Sequence, residues 1–184
     1  LAKLQIEGAE GIDWSLCQPR PAFDRQSMAW DLSYFKYYFL KVAKVPFDEQ
    51  ALEDDFDSLC TFLLSTEHQG FMHRDFQARN IMVHEGKPYF IDFQGGRQGA
   101  LQYDVASLLF QAKARIPAEL RTALIEGYLD TVETYFPVDR AAFHVHFNGF
   151  LLIRTLQVLG SYGYRGLYER RAHFLESIPF ALDH

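Results

Sequence analysis

The sequence lacks the features that mark secreted, membrane-spanning and nucleic-acid-binding chains. It has only two cysteines, Cys17 and Cys60, which are far apart and favour a reducing, cytoplasmic location. No apolar run approaches the roughly 20 residues that a membrane helix needs, so no membrane association is predicted. The net charge is −6 and the isoelectric point is about 5.6, which argues against a general nucleic-acid surface.

The first ten residues, LAKLQIEGAE, lack both an initiating methionine and a signal-peptide pattern. Their spacing of apolar residues is typical of the end of a helix, closed near Gly8 or Gly11. From this beginning we expect the chain to be a fragment of a longer protein.

The composition provides enough apolar material for one folded domain. The chain has 184 residues, of which 48% are hydrophobic, and this excludes extensive disorder. Aromatic residues make up 16%, which indicates a core of large rings or an aromatic-lined pocket. We expect residues 1–184 to form a single domain.

Helical patterns occupy both ends of the sequence. Asp48 is expected to cap a helix with a clear apolar stripe, and Asp139 is expected to cap another that runs past Leu156. A further helix is predicted over residues 103–113. Three glycines are expected to interrupt the helical pattern near the C-terminus, namely Gly160, Gly163 and Gly166.

Between the helical regions, the period of the apolar residues changes to that of a β-hairpin. Strands are predicted at residues 81–84 and 88–93, joined by a turn in which Gly86 takes a positive φ. The following GGRQG segment, residues 95–99, is predicted to be a glycine-rich loop. The fold class is therefore α+β and mainly α-helical, with one small hairpin, because strands and helices do not alternate.

Three oxygen-bearing side chains are expected to meet at the open end of this hairpin. Asn80 precedes the first strand, Asp92 is predicted to end the second, and Asp75 lies just upstream of Asn80. A hairpin brings its two outer ends together, so Asn80 and Asp92 should be adjacent. Mg²⁺ prefers hard oxygen ligands and takes only one or two from the protein when phosphate supplies the rest. Asn80 and Asp92 suit that role, and Asp75 is left to accept a proton from an attacking hydroxyl.

The string HRDFQARN, residues 73–80, resembles the kinase catalytic loop, and IDFQ, residues 91–94, lies where kinases carry D-F-G. The resemblance implies that Asp75 is the catalytic base and that Asn80 and Asp92 hold Mg²⁺ and ATP. Asp104 is similar to the helix-start aspartate that braces the catalytic loop through backbone N–H groups, and His73 to the residue that packs and orients it.

Residues 71–110 most resemble the aminoglycoside phosphotransferase and choline kinase-like family, and within it the bacterial kinases of cell-wall amino sugars. This implies a protein-kinase-like C-terminal lobe whose hairpin carries the metal site. It also implies ATP as phosphoryl donor and a small-molecule hydroxyl, on an amino sugar, as acceptor.

The departures from the protein-kinase pattern are informative. Gln94 replaces the glycine of D-F-G, and Tyr103 lies only 11 positions after Asp92. A protein-kinase activation segment needs roughly 20–30 residues, so a small-molecule acceptor is favoured over a protein. No glycine-rich loop precedes the motif and no V-A-I-K-type lysine occurs. We therefore expect the N-terminal, nucleotide-clamping lobe to be absent from this chain, and the isolated fragment to be inactive.

Other interpretations of the same residues remain open. Taken singly, Asp75, Asn80 and Asp92 are ordinary turn residues, and Asp104 is an ordinary helix N-cap. Arg74 could anchor a phosphate or pair with an acid. The protein could instead phosphorylate an aminoglycoside or another small alcohol, or be a non-catalytic ligand-binding module of kinase-like fold.

Overall fold

The computed structural model describes residues 1–183, and within them helices surround two small antiparallel sheets. The strands are β1 (Gln69–Met72), β2 (Ile81–His84), β3 (Lys87–Phe90) and β4 (Arg97–Ala100). The α-helices are α1 (Ala2–Ile6), α2 (Arg25–Phe35), α3 (Glu49–Leu64), α4 (Leu101–Leu109), α5 (Ala118–Val132), α6 (Arg140–Tyr162), α7 (Ala172–Leu175) and α8 (Ile178–Leu182). This confirms an α+β, mainly helical architecture. Within the described residues, no helix has both the length and the hydropathy needed to cross a membrane.

The predicted caps lie at the starts of the two longest helices. The Asp48 carboxylate accepts a hydrogen bond from the Ala51 N–H at 2.7 Å, and Asp139 accepts one from Ala142 at 3.0 Å. Each cap satisfies one of the backbone donors that a helix leaves unpaired in its first turn. The long helix α6 then contributes to two apolar clusters, one with α2 and α3 and the other with α4 and α5. It therefore forms the central support of the domain.

The hairpin formed by β2 and β3 has the predicted register and turn. Ile81 pairs with Phe90 and His84 with Lys87, while Glu85 and Gly86 both have positive φ, as a tight two-residue hairpin turn requires. The second strand ends earlier than predicted, at Phe90. Asp92 has a φ of 68°, which is incompatible with an extended strand, so it lies beyond the strand and does not end it.

The prediction of a loop over residues 95–99 was wrong for most of that segment. Strand β4 pairs with β1, with Met72 opposite Arg97 and Gly70 opposite Gly99. A Cβ atom on Gly99 would collide with the Met72 side chain. Gly99 therefore allows β1 and β4 to pack closely. The glycine-rich composition of the segment led to the wrong prediction of a loop. The helix predicted at 103–113 begins directly afterwards and spans Leu101–Leu109.

The predicted interruption at the three C-terminal glycines was also wrong. Helix α6 continues to Tyr162, and a π-helical segment, Gly163–Tyr168, follows it without a break. Gly163 has helical dihedral angles, and a Cβ atom there would collide with the Tyr38 carbonyl oxygen. The absence of a side chain lets the start of this π-helical segment approach Tyr38 and Phe39, in the segment after α2.

Replacing Gly163 by alanine should destabilise the protein by about 1–3 kcal/mol, because a methyl group would overlap a backbone oxygen that cannot move independently. Gly127→Ala is the matched control. Gly127 lies in α5 with no atom within 4 Å of the position that the new methyl group would take, so alanine should stabilise by about 0.5–1 kcal/mol through helix propensity. Urea unfolding measures both changes. Equal effects of the two substitutions would contradict the close contact at Gly163.

Candidate active site

The HRDFQARN segment runs from the end of β1 to the start of β2. Met72 is the last residue of β1, and a 3₁₀ turn, Ala78–Asn80, leads directly into β2. Asp75 lies on the irregular segment between them. We call residues 73–77 the catalytic-loop segment.

Asp104 holds the start of this segment from the neighbouring helix α4. It is fully buried, and its two carboxylate oxygens accept hydrogen bonds from the backbone N–H groups of His73 at 2.7 Å and Arg74 at 3.0 Å. Burial raises the pKa of the Asp104 carboxyl, and the two backbone donors oppose that shift. The helix begins at Leu101 with Ala100 as its cap, so Asp104 is not the cap residue.

Arg74 adopts a backbone conformation that L-residues rarely occupy, with a φ of 79°. Its guanidinium is mostly buried, donates to the Asp31 carboxylate at 2.8 Å and to the Tyr103 hydroxyl, and lies over the Phe23 ring. Of the two predicted alternatives, the structure shows Arg74 paired with an acid. These contacts, together with those of Asp104, fix both the backbone and the side chain of Arg74.

His73 connects the catalytic-loop segment to the open end of the hairpin. The buried imidazole approaches the Ile91 carbonyl oxygen at 3.1 Å through Nε2, and because a carbonyl can only accept, Nε2 carries the proton. The ring also packs edge-on against Phe76. Since Ile91 precedes Asp92, His73 fixes the distance between the segment that carries Asp75 and the backbone that carries Asp92.

The Asp75 carboxylate lies half-buried among several donors. It accepts hydrogen bonds from Gln77, from Arg79 at 3.0 Å and from Asn80 at 3.2 Å. Burial raises the pKa of Asp75, but the hydrogen bonds of Gln77 and Arg79 and the charge of Arg154 outweigh it and hold the pKa below its usual range. Asp75 is therefore a carboxylate at neutral pH.

Asn80 is buried beside Asp75. Its Nδ2 donates to the Asp75 backbone oxygen at 2.8 Å and to the Asp75 side chain at 3.2 Å, which turns Oδ1 away as the remaining acceptor. The hairpin places the Asn80 backbone oxygen against the Ile91 N–H at 3.0 Å. The backbone of Asn80 therefore lies beside the backbone that leads into Asp92, as the hairpin predicts.

The Asp92 side chain itself does not join the other two. It is exposed, and its Oδ1 accepts a hydrogen bond from Gln94 at 3.0 Å. Within the described residues it forms no ion pair and no hydrogen bond with Asp75 or Asn80, and no group of three or more His, Cys, Asp or Glu side chains could hold a metal ion. The structure therefore brings together Asp75 and Asn80 but not all three side chains.

The donor chemistry nevertheless fits a single magnesium ion. The Oδ1 of Asn80 is an amide oxygen directed away from its Asp75 contacts, and Asp92 is an exposed carboxylate that accepts from a neutral amide. Mg²⁺ is commonly held by one or two such protein oxygens, with water and phosphate completing its shell. Asn80 and Asp92 are the residues that would hold it.

One residue of the site was missed by the sequence analysis. Arg154, on α6, reaches the Asp75 carboxylate at 3.6 Å and is anchored by the Ser107 hydroxyl at 3.1 Å and by Gln157. The available signal was a charged residue within the otherwise apolar run FLLIRTL, residues 150–156. A charge in such a position is buried only when it has partners.

The comparisons with known proteins show the family of the chain. The sequence model of the phosphotransferase enzyme family, abbreviated APH, matches residues 7–142, and the chain belongs to that family. The resemblance drawn from the catalytic-loop motif is therefore confirmed.

Two relatives bear the same name, N-acetylmuramate/N-acetylglucosamine kinase. The protein from Neisseria meningitidis serogroup B is 28% identical over 193 residues, which cover 100% of this chain and 55% of that protein. The protein from Pseudomonas aeruginosa is 28% identical over 112 residues, covering 59% of this chain and 33% of that protein. The chain thus spans about half the length of the first relative.

Replacing Asp104 by alanine should destabilise the protein by about 2–5 kcal/mol, because two buried backbone N–H groups would lose their acceptor. Asp139→Ala is the matched control, since it removes a carboxylate from a single exposed cap bond and should cost about 1 kcal/mol. Denaturant unfolding monitored by circular dichroism gives both values. If the two variants lost the same stability, Asp104 would have no special role in the loop.

Proposed function

We propose that this chain is the catalytic lobe of an ATP-dependent kinase that transfers the γ-phosphoryl group to a hydroxyl of a small molecule, an amino sugar. Family membership supports the phosphotransferase class, and the names of the two relatives support the acceptor. The observation that carries the proposal is the Asp75–Asn80 pair, in which the ionised carboxylate of Asp75 lines a cavity and accepts a hydrogen bond from the potential metal ligand Asn80.

In this proposal Asp75 accepts a hydrogen bond from the acceptor hydroxyl and orients its oxygen towards the phosphoryl group. A carboxylate with a low pKa is a weak base, so Asp75 contributes chiefly by orientation and receives the proton late in the transfer. The donors around it, Gln77 and Arg79, keep the carboxylate ionised before the acceptor arrives.

Asn80 and Asp92 would hold Mg²⁺, which neutralises negative charge on the transferred phosphoryl group when it is bound. His73 and Asp104 are positioning residues. Asp104 fixes the backbone of the catalytic-loop segment, and His73 ties that segment to the carbonyl oxygen of Ile91, the residue before Asp92. Arg74 supports the same segment from its buried side.

A small acceptor suits the structure better than a protein. Strand β4 starts at Arg97 and α4 at Leu101, so only four residues separate Asp92 from the next regular element. The segment that would form a peptide platform in a protein kinase is thus occupied by a strand and a helix of the core. This supports the expectation drawn from the chain length after Asp92.

The nucleotide-clamping part belongs, in this proposal, to a further lobe of a longer protein. The chain covers 55% of the relative from N. meningitidis, which leaves room for such a lobe. Residues 1–184 alone should therefore not catalyse repeated phosphoryl transfer from ATP. Steady ATP-dependent phosphorylation by the isolated chain would contradict this part of the proposal.

Asp75→Asn in the full-length protein should lower kcat by about 10²–10⁴-fold, because the amide can neither accept the proton nor orient the hydroxyl in the same way. The exposed Asp57→Asn is the matched control and should retain activity. Phosphorylation of N-acetylmuramate and N-acetylglucosamine is measured together with the circular dichroism spectrum. A folded Asp75→Asn variant with full activity would exclude Asp75 from catalysis.

In the full-length protein, Asp92→Ala should abolish magnesium-dependent nucleotide binding, since it removes the exposed carboxylate that would bind the ion. Binding of a fluorescent ATP analogue with and without Mg²⁺ measures this, with Asp57→Ala as the control. Nucleotide binding that is independent of both Mg²⁺ and Asp92 would favour a non-catalytic binding module.

A further inference from the structure

Two adjacent cavities meet at Arg154. One, of about 350 Å³, contains Asp75, and the other, of about 340 Å³, opens between α4 and α6. Both are lined by Gln77, Arg154, Val158 and Tyr162. We call the combined space the Arg154 cleft. Its position beside Asp75 makes it the natural place for the acceptor if the proposed function holds.

The charge of the Arg154 cleft is opposite to that of the whole chain. Four basic residues line it, Arg74, Arg79, Lys113 and Arg154, against one acidic residue, Asp75. The complete sequence, by contrast, carries a net charge of −6. Arg74 is neutralised by Asp31, and Lys113 lies 3.8 Å from Glu176 at the rim. Arg79 and Arg154 share the single Asp75 carboxylate, so the cleft retains a positive excess.

Of the two cations that share Asp75, Arg154 is held more firmly than Arg79. Its side chain is only 12% exposed, whereas that of Arg79 is 69% exposed. The Ser107 hydroxyl and Gln157 hold two sides of the guanidinium. The third side, Nη2, stands 3.6 Å from Asp75, which is too long for a hydrogen bond. Within residues 1–183 no hydrogen bond occupies Nη2, so it keeps N–H donors for a ligand on a guanidinium that is already oriented.

These donors face cavities that the proposed metal ligands do not line. Neither Asn80 nor Asp92, the residues that would hold the metal and its phosphates, lines either cavity. The α4–α6 part of the cleft is bounded instead by Ser107, Leu151 and Thr155. A nucleotide phosphate is therefore a poor match for Nη2, and a group on the acceptor is a better one.

We propose that Arg154 is a specificity-determining residue that binds a carboxylate on the acceptor, so that an acidic sugar is preferred over a neutral one and polycationic acceptors are rejected. A guanidinium matches the planar shape of a carboxylate and strengthens each hydrogen bond by its charge. This inference rests on the proposed function. It also separates the amino-sugar alternative from the aminoglycoside alternative, because aminoglycosides carry several positive charges that the cleft would repel.

The first test compares ligands on the full-length protein without any substitution. By calorimetry, N-acetylmuramate should bind about tenfold more tightly than its methyl ester or N-acetylglucosamine, because both of these lack the carboxylate. Kanamycin should not compete. Equal affinity for the acid and its ester, or competition by kanamycin, would overturn the inference.

The second test uses Arg154→Gln, with Arg154→Lys as the conservative variant and Arg25→Gln as the matched control. Arg25 is an exposed arginine paired with Asp57 and lines neither cavity. Arg154→Gln should reduce the preference for the acid over the ester to near unity, Arg154→Lys should restore part of it, and Arg25→Gln should leave it unchanged. A preference that survives in folded Arg154→Gln, or an effect on ATP affinity alone, would overturn the inference.

Failure of the inference and failure of the proposed function give different results. Calorimetry needs no phosphoryl transfer, so it tests the Arg154 cleft even in the absence of turnover. If both sugars are phosphorylated at equal kcat/KM and bind equally, the proposed function stands and the role of Arg154 is wrong. If the acid binds selectively but no acceptor is phosphorylated, the binding role stands and the kinase function is wrong.

Discussion

The arrangement of the candidate site depends on one buried carboxylate. Asp104 is removed entirely from solvent, and its two oxygens are occupied by consecutive backbone N–H groups of His73 and Arg74. Arg74 has a φ of 79°, a conformation that costs free energy for an L-residue. The hydrogen bonds to Asp104 compensate for that cost. As a result, the next residue, Asp75, points to the cleft and not into the core.

Three other parts of the fold also hold the catalytic-loop segment or contact Asp75. His73 ties the loop to the carbonyl of Ile91, next to Asp92, and the Arg74 guanidinium ties it to Asp31 on α2. Arg154 approaches Asp75 from α6, the helix shared by both apolar clusters. The site is therefore assembled from elements distant in sequence, each with its own packing. This is the rigid support that an orienting carboxylate needs, since small displacements of a reacting group are costly.

The sequence revealed the parts of this arrangement that are encoded locally. The hairpin turn at Gly86 and the caps Asp48 and Asp139 depend on neighbouring residues, and the structure has all three. It marked Arg154 as a charge in an apolar run but could not reveal its partner, because only tertiary packing decides that this residue, 79 positions after Asp75, faces it. Strand β4 was missed because the glycine-rich segment resembles a loop, whereas Gly99, the one glycine within β4, serves close packing against Met72. Asp92 was misplaced because the strand ends at Phe90 and Asp92 itself has a positive φ, which an extended strand does not accommodate.

Amide hydrogen exchange at His73 and Arg74 tests the central claim most directly. Both N–H groups are bonded to a fully buried acceptor, so they should exchange only through global unfolding, as slowly as the amides in the middle of α6. NMR or mass spectrometry with residue resolution measures these rates. Exchange as fast as that of the exposed hairpin turn at Glu85 and Gly86 would show that Asp104 does not hold the loop, and would contradict the account.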